Sequence, residues 1–545
     1  MLCRCAQIGF SRSLRVLLTA FVAFVGPLSV TRADSTLVYS MSGDVQPSNP
    51  STWTSSTVGY IGSSTAGSLT VTSGNLLSRC AAIGFSTNAS GTVNIVGSGS
   101  NWTNDEGISV GCNGMGQLNV IDGGVVGSMD DCYIGQSAGS VGVVSVNGAG
   151  SKFTSGTWLW GDGCLHVGDY GSGRLDVAGG GAVRSFASAV GCCSGSTGVV
   201  AIHGTGSTWT DYGSSLNIGE SGNGILNISG GGTVACTSEY GSVVGYESGG
   251  TGVVNVNGTG STWTNVLTAV VVGLNGRGTL NISGGGNVTA QIVQVNSQSL
   301  LAIDVGAGSS LIMVGGTKGS NGTIINNGTV RVMAGASPTA GATFAPISAL
   351  HGWSGSGTVQ TLGGVWNANA QQFTGSAITS GTSGHTITLD LATLQRALVS
   401  DNTTHWTVGA SFLAKPSSTR LSFTATAISD APLGSLHGRL GSGQSVLGGW
   451  LFTTDTGYTP GDPAYLSFGI GSGYSSGDLA IWHYDGSAWT AFTANDLTYD
   501  GNYASFTATD LSGFAVTGVA VPEPSTLVLL GIGAVGLLGY WWRRW

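Results

Sequence analysis

Three serines sit within Gly-x-Ser-x-Gly, at Ser109, Ser137 and Ser475. That spacing suits a nucleophile elbow, in which a strand-to-helix turn lifts a hydroxyl toward His and Asp partners for acyl transfer. In a chain with 95 glycines among 545 residues, on the order of two such matches arise by chance. Two of the three also fall inside a repeat with no helix pattern behind them, so nucleophilic catalysis is not expected. Seven histidines (His166, His203, His351, His385, His405, His437 and His483) show neither His-x-His nor His-Glu-x-x-His spacing. The sequence therefore predicts no metal centre, no cofactor and no assigned catalytic residue. Asp130-Asp131, and Asp455 with Asp462, are carboxylates that could meet calcium. Neither pair lies in an EF-hand or a Gly-Gly-x-Gly-x-Asp frame, so solvated turn carboxylates are expected. The densest polar group is His166 with Asp162 and Asp169, flanked by Trp158 and Trp160. Carboxylates beside aromatic rings can hold and hydrolyse a sugar chain. This makes a carbohydrate-binding protein or polysaccharide-active enzyme, working from the flank near Asp162, the alternative functional reading. Charges in successive repeats do not coincide, however, and a loop packing its own aromatics accounts for the same residues.

Seven of the nine cysteines (Cys80, Cys112, Cys132, Cys164, Cys192, Cys193 and Cys236) lie in the repeat region, whereas Cys3 and Cys5 precede it. An odd number cannot all pair internally. Cys132 and Cys164 have similar offsets in successive repeats and could be bridged in an oxidising compartment. A stack of buried free thiols fits the same spacing.

The elements that must position these residues are repetitive. An aromatic recurs at Trp53, Trp102, Phe153, Trp209 and Trp263, with spacings of 49, 51, 56 and 54. A Gly-x-Leu-x-Val/Ile motif follows each time, with its leucine at Leu69, Leu118, Leu175, Leu226 and Leu280. Landmark glycines stand at Gly62, Gly111, Gly168, Gly219 and Gly273, and half a unit away at Gly84, Gly135, Gly191 and Gly245. The unit of about 53 residues is thus two related halves, each with short alternating apolar and polar runs. Alternation sends Leu280 and Ile282 inward and Asn281 and Ser283 outward. No half can bury its own apolar face, so neighbours must stack, which gives a parallel β-solenoid. Asn119, Asn227 and Asn281, beside the strands, are placed to form side-chain ladders or tight-turn contacts.

From about His385 the texture changes: glycine thins and the apolar runs lengthen, at 406–413, 420–427, 465–470, 479–484, 503–509 and 513–517. These predict a small antiparallel β-sandwich. The expected fold is all-β, a parallel β-solenoid (34–375) followed by that sandwich (384–518).

At the N-terminus Arg4, Arg12 and Arg15 precede an apolar run from Val16 to Val25, and Thr31-Arg32-Ala33 follows. Residues 1–33 read as an export signal helix with cleavage after Ala33, handled by the general secretion machinery. At the C-terminus Pro522-Glu523-Pro524-Ser525 leads into an apolar run from Leu527 to Tyr540, then Trp541, Trp542, Arg543, Arg544 and Trp545. An extended segment, a helix of near-membrane length and a basic stop at Arg543 and Arg544 make residues 519–545 a transmembrane sorting tail. This order of parts resembles the PEP-CTERM sorting signal of bacterial exported proteins. The resemblance implies an exosortase partner that cuts near Pro522-Glu523-Pro524, and a membrane association through the tail before processing. The repeats over about residues 50–290 look like the autotransporter-associated and PEP-CTERM-associated repeats of bacterial surface proteins.

Charge narrows the partners. Only 8% of residues are charged and the formal net charge is −9, which excludes nucleic acid as a ligand. Without both ends, 11 basic residues would face 25 acidic ones, a net of about −14. The functional expectation is a non-catalytic structural protein of the cell surface or extracellular matrix. By resemblance it would associate with extracellular polysaccharide, in biofilm or envelope.

Overall fold

The computed structural model describes residues 36–519, apart from 157–162, 238–239, 315–321, 429 and 475. The expected signal segment with Ala33 lies outside the described residues, as do the sorting residues Pro522 to Ser525 and the stop at Arg543 and Arg544. Among the described residues no helix is long and apolar enough to cross a membrane. The chain divides into two compact units. One holds the residues up to Ala302 with Ser310–Val330 and Ile347–Thr358, and the other holds Ile303–Ser309, Arg331–Pro346 and the chain from Val359. The fold is mostly β, a β-solenoid of about 11 turns over residues 58–362 followed by antiparallel sheets.

Most coils of the first unit carry one long strand and two short ones; the short pair runs together as Thr262–Val272 and as Asn287–Val295. Met115–Ile121, Val125–Ser128 and Cys132–Ile134 make one coil, and Val141–Asn147, Lys152–Ser155 and Cys164–Val167 the next. Every one of these strands pairs in parallel with its counterpart a coil away. In-register Gly91, Gly116 and Gly142 stand 25 and 26 residues apart. The half-unit visible in the sequence is therefore one coil, and the unit of about 53 residues is two.

Side-chain volume explains the pairing of coils. On one short strand the register runs Leu76, Trp102, Val126, Phe153, Val183, Trp209, Val234, Trp263, Val288. All of these are buried. Layers in a parallel sheet are only about 4.8 Å apart, so an indole needs a smaller neighbour above and below. The long strands carry a second alternating column: Leu69, Val93, Leu118, Val144, Leu175, Val200, Leu226, Val254, Leu280. Each member is fully buried. Trp53 does not belong to the aromatic column. It closes a 3-10 turn at Pro50–Thr52, donates from Nε1 to the Pro47 carbonyl at 3.0 Å, and packs on Gly59. The column begins one coil later than expected for Trp53, at Leu76, in register beside Trp102.

The landmark glycines turn the chain between the last short strand and the next coil. Gly219 has φ +70, and a Cβ there would lie 2.2 Å from the Thr251 carbonyl oxygen. Only glycine combines that conformation with so close an approach. Its N–H donates to the Val190 carbonyl one coil earlier at 2.7 Å. At the N-terminal end Val38–Gly43 pairs antiparallel with the first long strand, and Val45–Gln46 with Tyr60 and Ile61. These antiparallel strands cover an edge that parallel pairing leaves open.

The second unit holds a three-stranded antiparallel sheet of Thr343–Phe344, Gln372–Gly375 and Gly364–Asn367, and a sandwich of two six-stranded sheets. One orders Ile378–Thr382, Arg396–Ser400, Thr407–Phe412, Ala464–Gly469, Tyr503–Ala508 and Thr498–Tyr499. The other orders Thr386–Asp390, Arg420–Ala427, Ser445–Thr454, Gly513–Gly518, Leu479–Tyr484 and Trp489–Phe492. Phe412, Phe423, Phe452, Phe468, Phe506 and Phe514 fill the space between. One edge pair, Ile378–Thr382 with Arg396–Ser400, is parallel. Arg396 is buried at 1% exposure, and its head meets carbonyls. Its Nε donates to the Ser376 carbonyl at 2.9 Å, and Nη1 to those of Pro338 at 2.6 Å and Gly335 at 3.2 Å. Burial lowers its pKa to about 10, so the guanidinium stays charged and holds two loops by their carbonyls.

Candidate functional site

The short strand Cys164–Val167 buries Leu165 and Val167 and turns His166 outward, in register between Tyr133 and Ala189. The imidazole stacks on Tyr133 with centroids 4.9 Å apart and planes 7° from parallel. Gly168 then turns the chain and presents Asp169, which is 8% exposed. One coil later Gly191 makes the same turn and presents Cys192 and Cys193. The coil register places them on Asp169: the Cys192 N–H donates to the Gly168 carbonyl and the Cys193 N–H to the Asp169 carbonyl, both at 2.9 Å.

One ligand atom from each of His166, Asp169 and Cys192 lies within 4.8 Å of the other two. Cys193 Sγ is 3.6 Å from Asp169 Oδ1 and 3.7 Å from Cys192 Sγ. His166 Nδ1 is buried without a hydrogen-bond partner among the described residues. Burial first, then the Glu220 carboxylate, Cys193 and Asp169, push the Cys192 thiol far above its ordinary range. Burial raises Cys193 as well. The cluster thus holds protonated thiols beside carboxylates. It offers sulfur, nitrogen and oxygen donors of the kind that suit a zinc-class cation.

Sequence reasoning grouped His166 and Asp169 but looked toward Asp162, Trp158 and Trp160, which lie outside the described residues. It missed Cys192 and Cys193. The available signal was the pair of landmark glycines: aligning Gly168 with Gly191 superimposes Asp169 on Cys192. Cys132 and Cys164 are both free thiols. Cys132 is in register with Leu165, so Cys164 sits one residue off and does not stack on it. Ser109 lies in the strand Ile108–Val110, buried, donating to Gln136 Oε1 at 2.9 Å. Ser137 belongs to the turn closed by its N–H to Ser140 Oγ, and Ser475 lies outside the described residues. Asp131 accepts from the Cys164 N–H and the Tyr133 hydroxyl, both at 2.8 Å, while Asp455 accepts from the Gly457 N–H and Asp462 pairs with Lys415.

The long-strand face carries amide ladders. Asn119 donates to Asn94 at 2.7 Å, and Asn281 to Asn255 and Asn255 to Asn227 at 2.8 Å each. Ladders at Asn119, Asn227 and Asn281 were expected, and Asn94 and Asn255 are the rungs between. Asn281 and Ser283, expected to face solvent, are buried at 3% and 6% exposure.

Inside the coil runs a polar column whose register is Ser128, Ser155, Ser185, Asp211, Cys236. Asp211 is fully buried, with one carboxyl oxygen 3.1 Å from Ser185 Oγ and 2.7 Å from Ser188 Oγ. Trp209 Nε1 donates to Ser185 Oγ at 2.9 Å. Burial raises the Asp211 pKa to about 8 against the two serines, which lower it.

Residues 520–544 match a family described as the PEP-CTERM protein-sorting motif. The match covers the tail and none of the repeats. No curated protein and no solved structure matches the chain.

Proposed function

We propose that this chain is a non-catalytic structural protein of the cell surface or extracellular matrix, associated with exopolysaccharide in biofilm or envelope. The tail carries the reading: a PEP-CTERM motif implies export and exosortase-mediated sorting to the surface. The solenoid is its scaffold, as in the surface-protein repeats it resembles, including the autotransporter-associated type. Two properties of the first unit support a structural role. Its core is continuous columns of buried side chains that hold neighbouring coils together. The long-strand face spends its amides on one another, a surface of fixed hydrogen bonds rather than of reactive groups. The tail, whose sequence is an apolar run before processing, would hold the chain at the inner membrane until the exosortase acts.

Intact-mass analysis of protein recovered from the native cell surface tests this. The expected species lacks residues 1–33 and the segment beyond Pro522. A full-length tail retained in the inner membrane would instead make it a permanent anchor and refute the sorting reading. Binding to isolated native exopolysaccharide, against a neutral glucan as control, tests the finer claim.

A further inference from the structure

We propose that His166, Asp169, Cys192 and Cys193 form a binding site for a zinc-class divalent cation that clamps two successive coils. Geometry carries this. In a tetrahedral site with metal–sulfur bonds of about 2.3 Å and metal–oxygen bonds of about 2.0 Å, two sulfurs lie about 3.8 Å apart and a sulfur–oxygen edge measures about 3.5 Å. The corresponding separations are 3.7 Å between Cys192 and Cys193 and 3.6 Å between Cys193 and Asp169. His166 and Cys192 need only a small inward movement, since the ligand atoms of His166, Asp169 and Cys192 already lie within 4.8 Å of one another.

A second observation is independent of that spacing. His166 Nδ1 is buried and makes no hydrogen bond among the described residues, a state that carries a desolvation penalty unless the ring is engaged. The Tyr133 stack fixes the ring plane, which plays the orienting part that outer-shell contacts play in metal sites.

The donor set selects the ion. Two thiols each release a proton to solvent on binding, and the resulting thiolates, the Asp169 carboxylate and a neutral imidazole surround the cation with a net charge of −1. Sulfur donors exclude calcium and magnesium, which take oxygen. The site also sits on a coil that is lengthened between its short strands. Eight residues separate Ser155 from Cys164, against three between Ser128 and Cys132 in the coil before. A cation bound there would fasten the lengthened coil to the next one through side chains from both.

The test uses the purified full chain, reduced, stripped with chelator and handled without oxygen, and titrated with Co2+ as the probe. The expected result is one equivalent bound, with intense visible bands of a tetrahedral site and a sulfur-to-cobalt charge-transfer band in the near ultraviolet. C192S and C193S should each roughly halve the charge-transfer band, and the double variant should abolish it. H166A and D169A should each weaken binding at least tenfold. C236S serves as a control and should change nothing, and circular dichroism verifies that each variant keeps its β signal. A pale octahedral spectrum, or a charge-transfer band that survives in the C192S/C193S double variant, would overturn the proposal. So would protein recovered from the cell surface with Cys192 and Cys193 joined as a disulfide, two hydrogens lighter. The cobalt readouts concern the purified chain and do not depend on the surface role, so either idea can fail alone.

Discussion

Replacing Asp211 with asparagine exchanges one oxygen for an amide nitrogen in the fully buried polar column, and should remove the pH response of the coil around it. In the folded chain burial raises the Asp211 pKa to about 8, from an ordinary value of 3.8. The folded state therefore holds this proton more tightly than the unfolded one. The stabilisation from that proton is complete below about pH 3.8, is lost progressively as pH rises, and is gone above about pH 8. Each pH unit in that window corresponds to about 1.4 kcal/mol, so the window as a whole is worth roughly 6 kcal/mol. The amide introduced by D211N would be neutral at every pH and still reach Ser185 and Ser188, whose hydroxyls can rotate to suit it. The stability of D211N relative to the native chain should thus rise by about 4 kcal/mol between pH 5 and pH 8. A repeat array does not unfold in one step, so the quantity to read is local. Hydrogen exchange over Thr208–Asp211 and Leu216–Ile218, corrected for intrinsic rates, gives the opening free energy of those strands. Asp304, another buried carboxyl raised to about 6 by burial, is present in both proteins and cancels. Parallel pH profiles for the two chains would show that Asp211 is ionised when folded, and the account of the column would be wrong.

Two further substitutions probe other parts of the fold. Gly219→Ala sets a Cβ 2.2 Å from the Thr251 carbonyl oxygen at φ +70, whereas Gly249→Ala has φ +91 and nothing within 4 Å. The second should cost about 1 kcal/mol from backbone strain alone and the first about 3 kcal/mol or more; a thermal scan that ranks them equally would contradict the corner geometry. Arg396→Lys should destabilise the second unit by about 2 kcal/mol, because an ammonium cannot replace a fork that reaches three carbonyls on two loops, and Arg396→Met should do worse by stranding buried carbonyls. Denaturant midpoints followed by the fluorescence of buried Trp450 and Trp489 measure both.

The solenoid was legible because stacking converts distant contacts into a fixed sequence offset. Leu118, Val144 and Leu175 are in register across coils, and that register spaces them 26 and 31 residues apart along the chain. The corner glycines showed for the same reason, all but Gly273 meeting the same carbonyl approach. Trp53 was misplaced because Ser-Thr-Trp-Thr recurs there without the strand that carries it elsewhere. In the sandwich, alternation marked the strands at Arg420–Ala427 and Leu479–Tyr484 closely. Ser445–Thr454 escaped notice because Gly448 and Gly449 interrupt its pattern at a bulge against Gly513–Gly518. The His166 cluster was only half visible. Its donors come from two coils and share no short motif, so the register, rather than the local spelling, assembles them.

The alternation of bulky and slender side chains along the interior sets the step by which this molecule can change length. Excising the single coil that carries Val183 would drop Phe153 onto Trp209, ring against ring in a gap made for one. Removing two adjacent coils restores the alternation. Gene duplication or deletion in this region should therefore be inherited in double coils, and a designer who wants a longer or shorter version should count in twos.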